Sequence, residues 1–183
     1  RADKVVSAMS QPNYPITPGD QLQLTYTDSK QTKTAIVQVS SLYQISLSPF
    51  GSVDVKGMNF EQCRVEIENL VKTYLPFSNP QVTLVNVGSF YVTVKGEVVR
   101  TMQVPCWGLS RLSEVLSYAS NYASTRKVLV TSYNNEQKVY DAYKALREGD
   151  LSQNPFLKAG DVITLLPSET TISILGEVKR QGA

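Results

Sequence analysis

The stretch Tyr14-Pro15-Ile16-Thr17-Pro18-Gly19-Asp20-Gln21-Leu22-Gln23-Leu24-Thr25-Tyr26 joins a tight turn to a strand whose apolar and polar residues alternate. Pro18 pre-sets φ for the first central position of the turn, and Gly19 supplies the positive φ of the second. Asp20 can then accept the turn's free N–H groups. Upstream, residues 1–13 are polar and carry Pro12, so they read as an N-terminal extension with order expected only from about Tyr14. Downstream, residues 34–39 and 43–47 are β-rich, Ser48-Pro49-Phe50-Gly51 is a loop, and residues 52–56 alternate again. Asn59, with Gln62 three residues on, has the form of a capping box. The following Phe60, Cys63, Ile67, Leu70, Val71 and Tyr74 share one helical face and are expected to pack on a sheet. Leu75-Pro76 stops that helix, and residues 81–87 resume a strand.

From Phe90 a second pattern begins. It predicts a strand at 91–94, a turn at Gly96-Glu97, and a helix after Gly108 with Leu109, Leu112, Val115, Leu116 and Ala119 inward. A strand at 127–131, a short helix at 139–146 and a closing strand at 161–166 complete it. That order in under 80 residues fits a small β-grasp-like α+β domain. Two internal echoes support the division. Ile16-Thr17-Pro18-Gly19-Asp20-Gln21-Leu22 returns as Leu157-Lys158-Ala159-Gly160-Asp161-Val162-Ile163, and Val94-Lys95-Gly96-Glu97-Val98 returns as Ile174-Leu175-Gly176-Glu177-Val178. The second Gly-Glu-Val falls near the end of the sequence, so a second module is expected to open there and the chain to be a piece of a longer protein. The expected organisation is an extension at 1–13, a β-rich domain with one packed helix at 14–88, a β-grasp-like domain at 89–168, and the first strand of a second copy at 169–183.

Composition narrows the chemistry. The 183 residues carry 18 basic and 16 acidic side chains, net +2, with 42% hydrophobic and 19% charged residues. No basic block suits nucleic acid. No apolar run is long enough to span a bilayer as a helix. With no His in the chain, a Ser-His-Asp mechanism and the commonest metal ligand are both missing. Cys63 and Cys106 lie outside any Cys-x-x-Cys spacing, so neither zinc nor dithiol chemistry is expected of them. Two inert thiols are favoured over a bridge. No catalytic residue, metal or cofactor is expected.

The string Tyr14-x-Ile16-x-Pro18-Gly19-Asp20-x-Leu22, then Gly51-x-Val53-x-Val55-x-Gly57, Glu61 and Pro80-x-Val82, resembles the polysaccharide biosynthesis/export domain. Gly96-Glu97-Val98, the helix after Gly108 and Asn154-Pro155-x-Leu157-x-x-Gly160-Asp161 resemble the SLBB (soluble-ligand-binding β-grasp) module of outer-membrane polysaccharide export proteins. The chain departs from that module at Arg100-Thr101-Met102, where Pro-Gly is common, and at Ala119-Ser120-Asn121, where Ala-Gly-Gly is common. The resemblance implies a passive, ring-forming periplasmic conduit for capsule or exopolysaccharide, attached to the outer membrane in the full-length protein. It implies polysaccharide, other copies of the chain and an inner-membrane polysaccharide co-polymerase with its tyrosine kinase as partners, and no nucleic acid. A lipidated N-terminal Cys and a membrane-crossing C-terminal helix, present in some members, are expected to lie outside this sequence.

Gly19-Asp20, Gly96-Glu97, Gly160-Asp161 and Gly176-Glu177, with Pro18, read as turn chemistry at strand ends rather than as ligand sites. Glu97 and Glu177 have no second acid in register with which to cleave a glycosidic bond. Among ten tyrosines, Tyr118, Tyr122, Tyr133, Tyr140 and Tyr143 cluster in the second domain. Trp107, Tyr118, Tyr122 and Tyr133 are candidate saccharide or subunit contacts, with packing the commoner role of such rings. The alternative function is a periplasmic carbohydrate-binding module without a transport role.

Overall fold

The structure, a computed structural model, describes residues 2–169. The expected opening strand of a second module, with Gly176 and Glu177, lies outside the described residues. The chain divides into two compact units, one of residues 2–91 with 105–110 and 156–159, the other of residues 92–104, 111–155 and 160–169.

In the first unit, α1 (Ala2–Met9) precedes β1 (Gln21–Asp28), β2 (Gln31–Gln38), β3 (Gln44–Leu47), β4 (Gly51–Asp54), α2 (Phe60–Tyr74) and β5 (Gln81–Asn86). The alternation of β1 is expressed directly: Leu22, Leu24 and Tyr26 are buried while their neighbours face outward. β1 is central, antiparallel to β2 on one side and to β5 on the other, and β3 and β4 form a separate hairpin. Asn59 caps α2 as expected, its side chain accepting the Gln62 amide while the Gln62 side chain accepts the Asn59 amide. Cys63, Ile67 and Val71 of α2 are fully buried against the apolar side of the sheet. Burial of Ile67 and of Val71 contributes on the order of 1.5–3 kcal/mol each.

Two expectations for this unit are corrected. Order begins at Ala2, because Ala8 and the half-buried Val5 form one helical face and α1 runs against β5. Tyr74 is 61% exposed, not inward. It is the last residue of α2 and lays one side of its ring against Phe50 at 6.0 Å, leaving the other side to solvent.

In the second unit, β6 (Phe90–Gly96), β7 (Met102–Cys106), α3 (Leu112–Val115), β8 (Ala123–Thr131), β9 (Gln137–Tyr140), α4 (Ala142–Glu148) and β10 (Val162–Pro167) build a five-stranded sheet in the order β7-β6-β10-β8-β9. β10 runs parallel to β6 and antiparallel to β8. First and last strands thus lie side by side at the centre with the rest of the module as their crossover, the arrangement of a β-grasp-like α+β fold. Val92, Val94, Leu112, Val115, Val128, Ile163 and Leu165 are buried in it.

Three details differ from expectation. The helix after Gly108 is a single α-turn followed by a 3₁₀ turn at Leu116–Tyr118, because Trp107 to Ser110 close their own turn first. Val139 and Tyr140 belong to a strand, since β8 and β9 pair across a turn holding Asn135 at φ +64°, and Asp141 caps a helix that starts only afterwards. β7 was not anticipated. It buries Val104 and Cys106 in alternation and tolerates Pro105 because it is an edge strand, where a missing N–H breaks no ladder.

Candidate functional site

Asp20 has no exposed surface, and both of its oxygens are occupied. Oδ1 accepts the Gly88 amide at 2.6 Å and the Tyr14 hydroxyl at 3.0 Å. Oδ2 accepts the Thr17 amide at 2.9 Å, and the Thr17 hydroxyl reaches both oxygens. Each oxygen therefore faces one backbone N–H, which can only donate. A carboxyl group suits this cage and a carboxamide does not, because either amide orientation would set NH₂ against an N–H. Burial pushes the Asp20 carboxyl above its usual range, opposed by the hydrogen bonds from Gly88 and Thr17 and from the Tyr14 and Thr17 hydroxyls. Burial, and then the charge of Asp20, raise the Tyr14 hydroxyl. A side chain buried to this degree cannot meet a ligand from solvent, and the bonds of Asp20 fasten its turn to Gly88.

Glycines make the fastener possible. Gly19 sits at φ +90°, and a Cβ on Gly88 would lie 2.2 Å from the Pro18 carbonyl oxygen, so the two turns touch backbone to backbone. Sequence reading singled out Pro18, Gly19 and Asp20 but neither Thr17 nor Gly88. Thr17 was in view three residues from Asp20, whereas nothing local marks Gly88.

The corresponding turn of the second unit has the same form. Gly160 takes φ +83°, Asp161 is 4% exposed, and the Asp161 carbonyl accepts the Thr93 amide at 3.0 Å. Tyr133 lies over this turn, its Cβ 3.2 Å from where a Gly160 Cβ would stand. At Gly96, φ is +90° and a Cβ would come 2.3 Å from the Leu165 carbonyl oxygen. That close approach lets the Glu97 amide donate to Leu165 at 2.9 Å. The Glu97 carbonyl in turn accepts Ser120 N–H at 2.8 Å, and the Ser120 hydroxyl lies 3.4 Å from Glu97 Oε2. Asn154, in the other motif segment, caps α3 from outside: its Oδ1 accepts the Ser113 amide at 2.9 Å and its carbonyl accepts Arg111 Nη1 at 2.7 Å.

Trp107 is half-buried against the first unit's core, with Lys4 Nζ 5.1 Å from its ring centre. Next to it, a Cβ on Gly108 would fall 2.8 Å from the Tyr14 ring. Tyr118, Tyr122 and Tyr133 are 38%, 72% and 63% exposed and sit on three different segments. Tyr140 and Tyr143 are covered by the chain's own cations, Lys138 and Arg126, and Arg126 also pairs with Asp141 at 3.4 Å. Neither ring is an open stacking platform. Phe77, which sequence reading did not single out, is 98% exposed beside the β1–β2 turn.

Neither cysteine forms a disulfide. Burial, with the Asp20 charge adding, pushes the Cys63 thiol up to about 12. Among the described residues, no three His, Cys, Asp or Glu side chains are grouped to hold a metal ion, and no helix is long and apolar enough to cross a membrane. Residues 8–87, somewhat under half of the chain, match the family described as polysaccharide biosynthesis/export protein. The stretch contains the whole Tyr14-to-Gly57 motif and the Asp20 cage except its Gly88 amide.

Proposed function

We propose, on the premise that residues 8–87 are a polysaccharide biosynthesis/export domain, that this chain is part of the periplasmic wall of an outer-membrane polysaccharide export conduit. The family match is the observation that carries the reading, and the family is one of transport proteins rather than enzymes. Residues 89–168 act as an SLBB module: the central parallel pair of β6 and β10 and the Gly-Asp turn repeated at Gly160 support this. Copies of the chain assemble side by side into a ring attached to the outer membrane. Exposed sheet edges favour such assembly, because β2 and β9 each leave one row of backbone groups unpaired among the described residues and both strands are mostly exposed. Polymer handed over by an inner-membrane co-polymerase, with its tyrosine kinase, passes through the lumen without covalent chemistry. Lumen width and polar lining set what passes.

Deleting the gene in its native strain and quantifying surface polysaccharide tests the reading. The expected result is loss of surface polymer, restored by the full-length protein. Unchanged surface polymer in the deletion strain would remove the export function. Saturable binding of one sugar by the purified chain, abolished by Tyr122→Ala, would favour the carbohydrate-binding module instead.

A further inference from the structure

The sheet of the first unit has one apolar side and one outward side, and the outward side carries no ionisable group. Register places Gln81, Thr25 and Thr34 in one row across the three strands, and Thr83, Gln23 and Ile36 in the next. The rows continue at one end with Thr27 beside Thr32, and at the other with Gln21 beside Gln38. All of these side chains are exposed or half-exposed. The sheet's charged residues, Asp28 and Lys33, alternate onto the other side, where they pair with each other. A surface of this size at ordinary charge density would carry about three Lys, Arg, Asp or Glu. Exposed sheets near an edge usually use such charges to discourage aggregation. Their exclusion here, next to the exposed edge strand β2, is a departure in need of a cause.

Given the export reading above, on which this step rests, we infer that the Gln/Thr face is the surface along which the glycan chain slides. Amides and hydroxyls both donate and accept, so they match sugar hydroxyls in either orientation. The Thr25 and Thr34 hydroxyls already lie 3.3 Å apart and can exchange that contact for one to a sugar. Neighbouring side chains within a row lie about 4.8 Å apart, the spacing of the strands, which is comparable to the repeat of successive pyranose units. Ile36, 65% exposed, and Val85, 38% exposed, add apolar contact for the C–H faces of the rings. With no fixed charge, the face neither traps an acidic polymer nor repels it. Binding is accordingly weak and repeated, as transit requires.

The test uses the purified chain and two probes, dextran oligosaccharides as a neutral glycan and alginate oligosaccharides as an acidic one, followed by amide chemical shifts. Both probes are expected to bind in the millimolar range, with shifts confined to β1, β2 and β5 and no dependence on salt. In Thr34→Lys, alginate binding tightens about threefold at low salt while dextran binding is unchanged. In Thr34→Glu, alginate alone weakens. Absence of shifts, shifts located elsewhere, or alginate binding unchanged in both variants would overturn the assignment. In a native strain whose surface polymer is acidic, a deletion that abolishes that polymer combined with unaltered export by a Thr34→Glu, Thr83→Glu variant would discard the face and keep the export function. A deletion without effect would discard the export function itself.

Discussion

The carboxylate of Asp20 accepts the backbone amide of Gly88 at 2.6 Å, across 68 positions of sequence. The bond ties the turn that begins the first sheet to the residues that follow its last strand. It ends inside a fully buried cage whose four donors come from Tyr14, Thr17 and Gly88.

Because each Asp20 oxygen faces a backbone N–H, Asp20→Asn loses a hydrogen bond and sets two donors face to face. An unfolding free energy lower by about 1–3 kcal/mol is expected from urea titration of the purified chain. Equal stability of the two proteins would show that the cage does not discriminate carboxyl from carboxamide.

Asp20 also sets a direction for pH dependence. Its carboxyl titrates above the ordinary value in the folded chain, so the folded state keeps a proton that the unfolded chain has already released. Its contribution is fully present below the ordinary carboxylate value and declines as pH rises through the higher folded one. Wild type should therefore exceed Asp20→Asn by the largest margin at acid pH, the margin narrowing toward neutrality. Urea midpoints of both proteins across that range measure it, and a margin that widened with pH would contradict the raised titration.

Gly96→Ala meets two obstacles, a positive φ and a Leu165 carbonyl oxygen 2.3 Å from the new Cβ. Gly149→Ala meets only the first, since no atom lies within 4 Å of its Cβ position at φ +74°. About 1 kcal/mol is expected at Gly149 and about 2–4 kcal/mol at Gly96, where the β6–β10 junction must open. Thermal unfolding of the two variants side by side separates conformational strain from collision.

Cys63 is fully buried and its thiol is pushed up to about 12, so almost no thiolate forms at neutral pH and reagent has no path to it. Iodoacetamide should leave Cys63 unmodified in the native chain and label it at the rate of unfolding once urea is added. Mass spectrometry of the peptide carrying Cys63 reads both, and rapid native labelling would refute the burial.

Much of this architecture was written locally. The alternation of 21–26, the Asn59–Gln62 box and the Cys63-Ile67-Val71 face each involve neighbours within a few residues, and each emerged in the structure as read. The Gly-Asp echo likewise marked two turns that share a positive-φ glycine and a buried acid. Local signals failed where a distant segment decides. Val139 and Tyr140 fit a helical stripe until β8 offers them a partner, and the first turn of α3 is capped at Ser113 by Asn154, 41 residues away.

By itself, then, the sequence determined the turns, the strand and helix periods, the repeat of the Gly-Asp motif and the resemblance of residues 14–88 to an export domain. Only the tertiary structure decided that Gly88 completes the Asp20 cage, that Leu165 forbids a side chain at Gly96, and that the uncharged Gln and Thr residues of three strands share one open face. Period and capping depend on residues close along the chain. Which distant backbone groups meet depends on how the chain returns to itself, and because loop closure costs little more for one long return than for another, that choice is settled by packing the whole core.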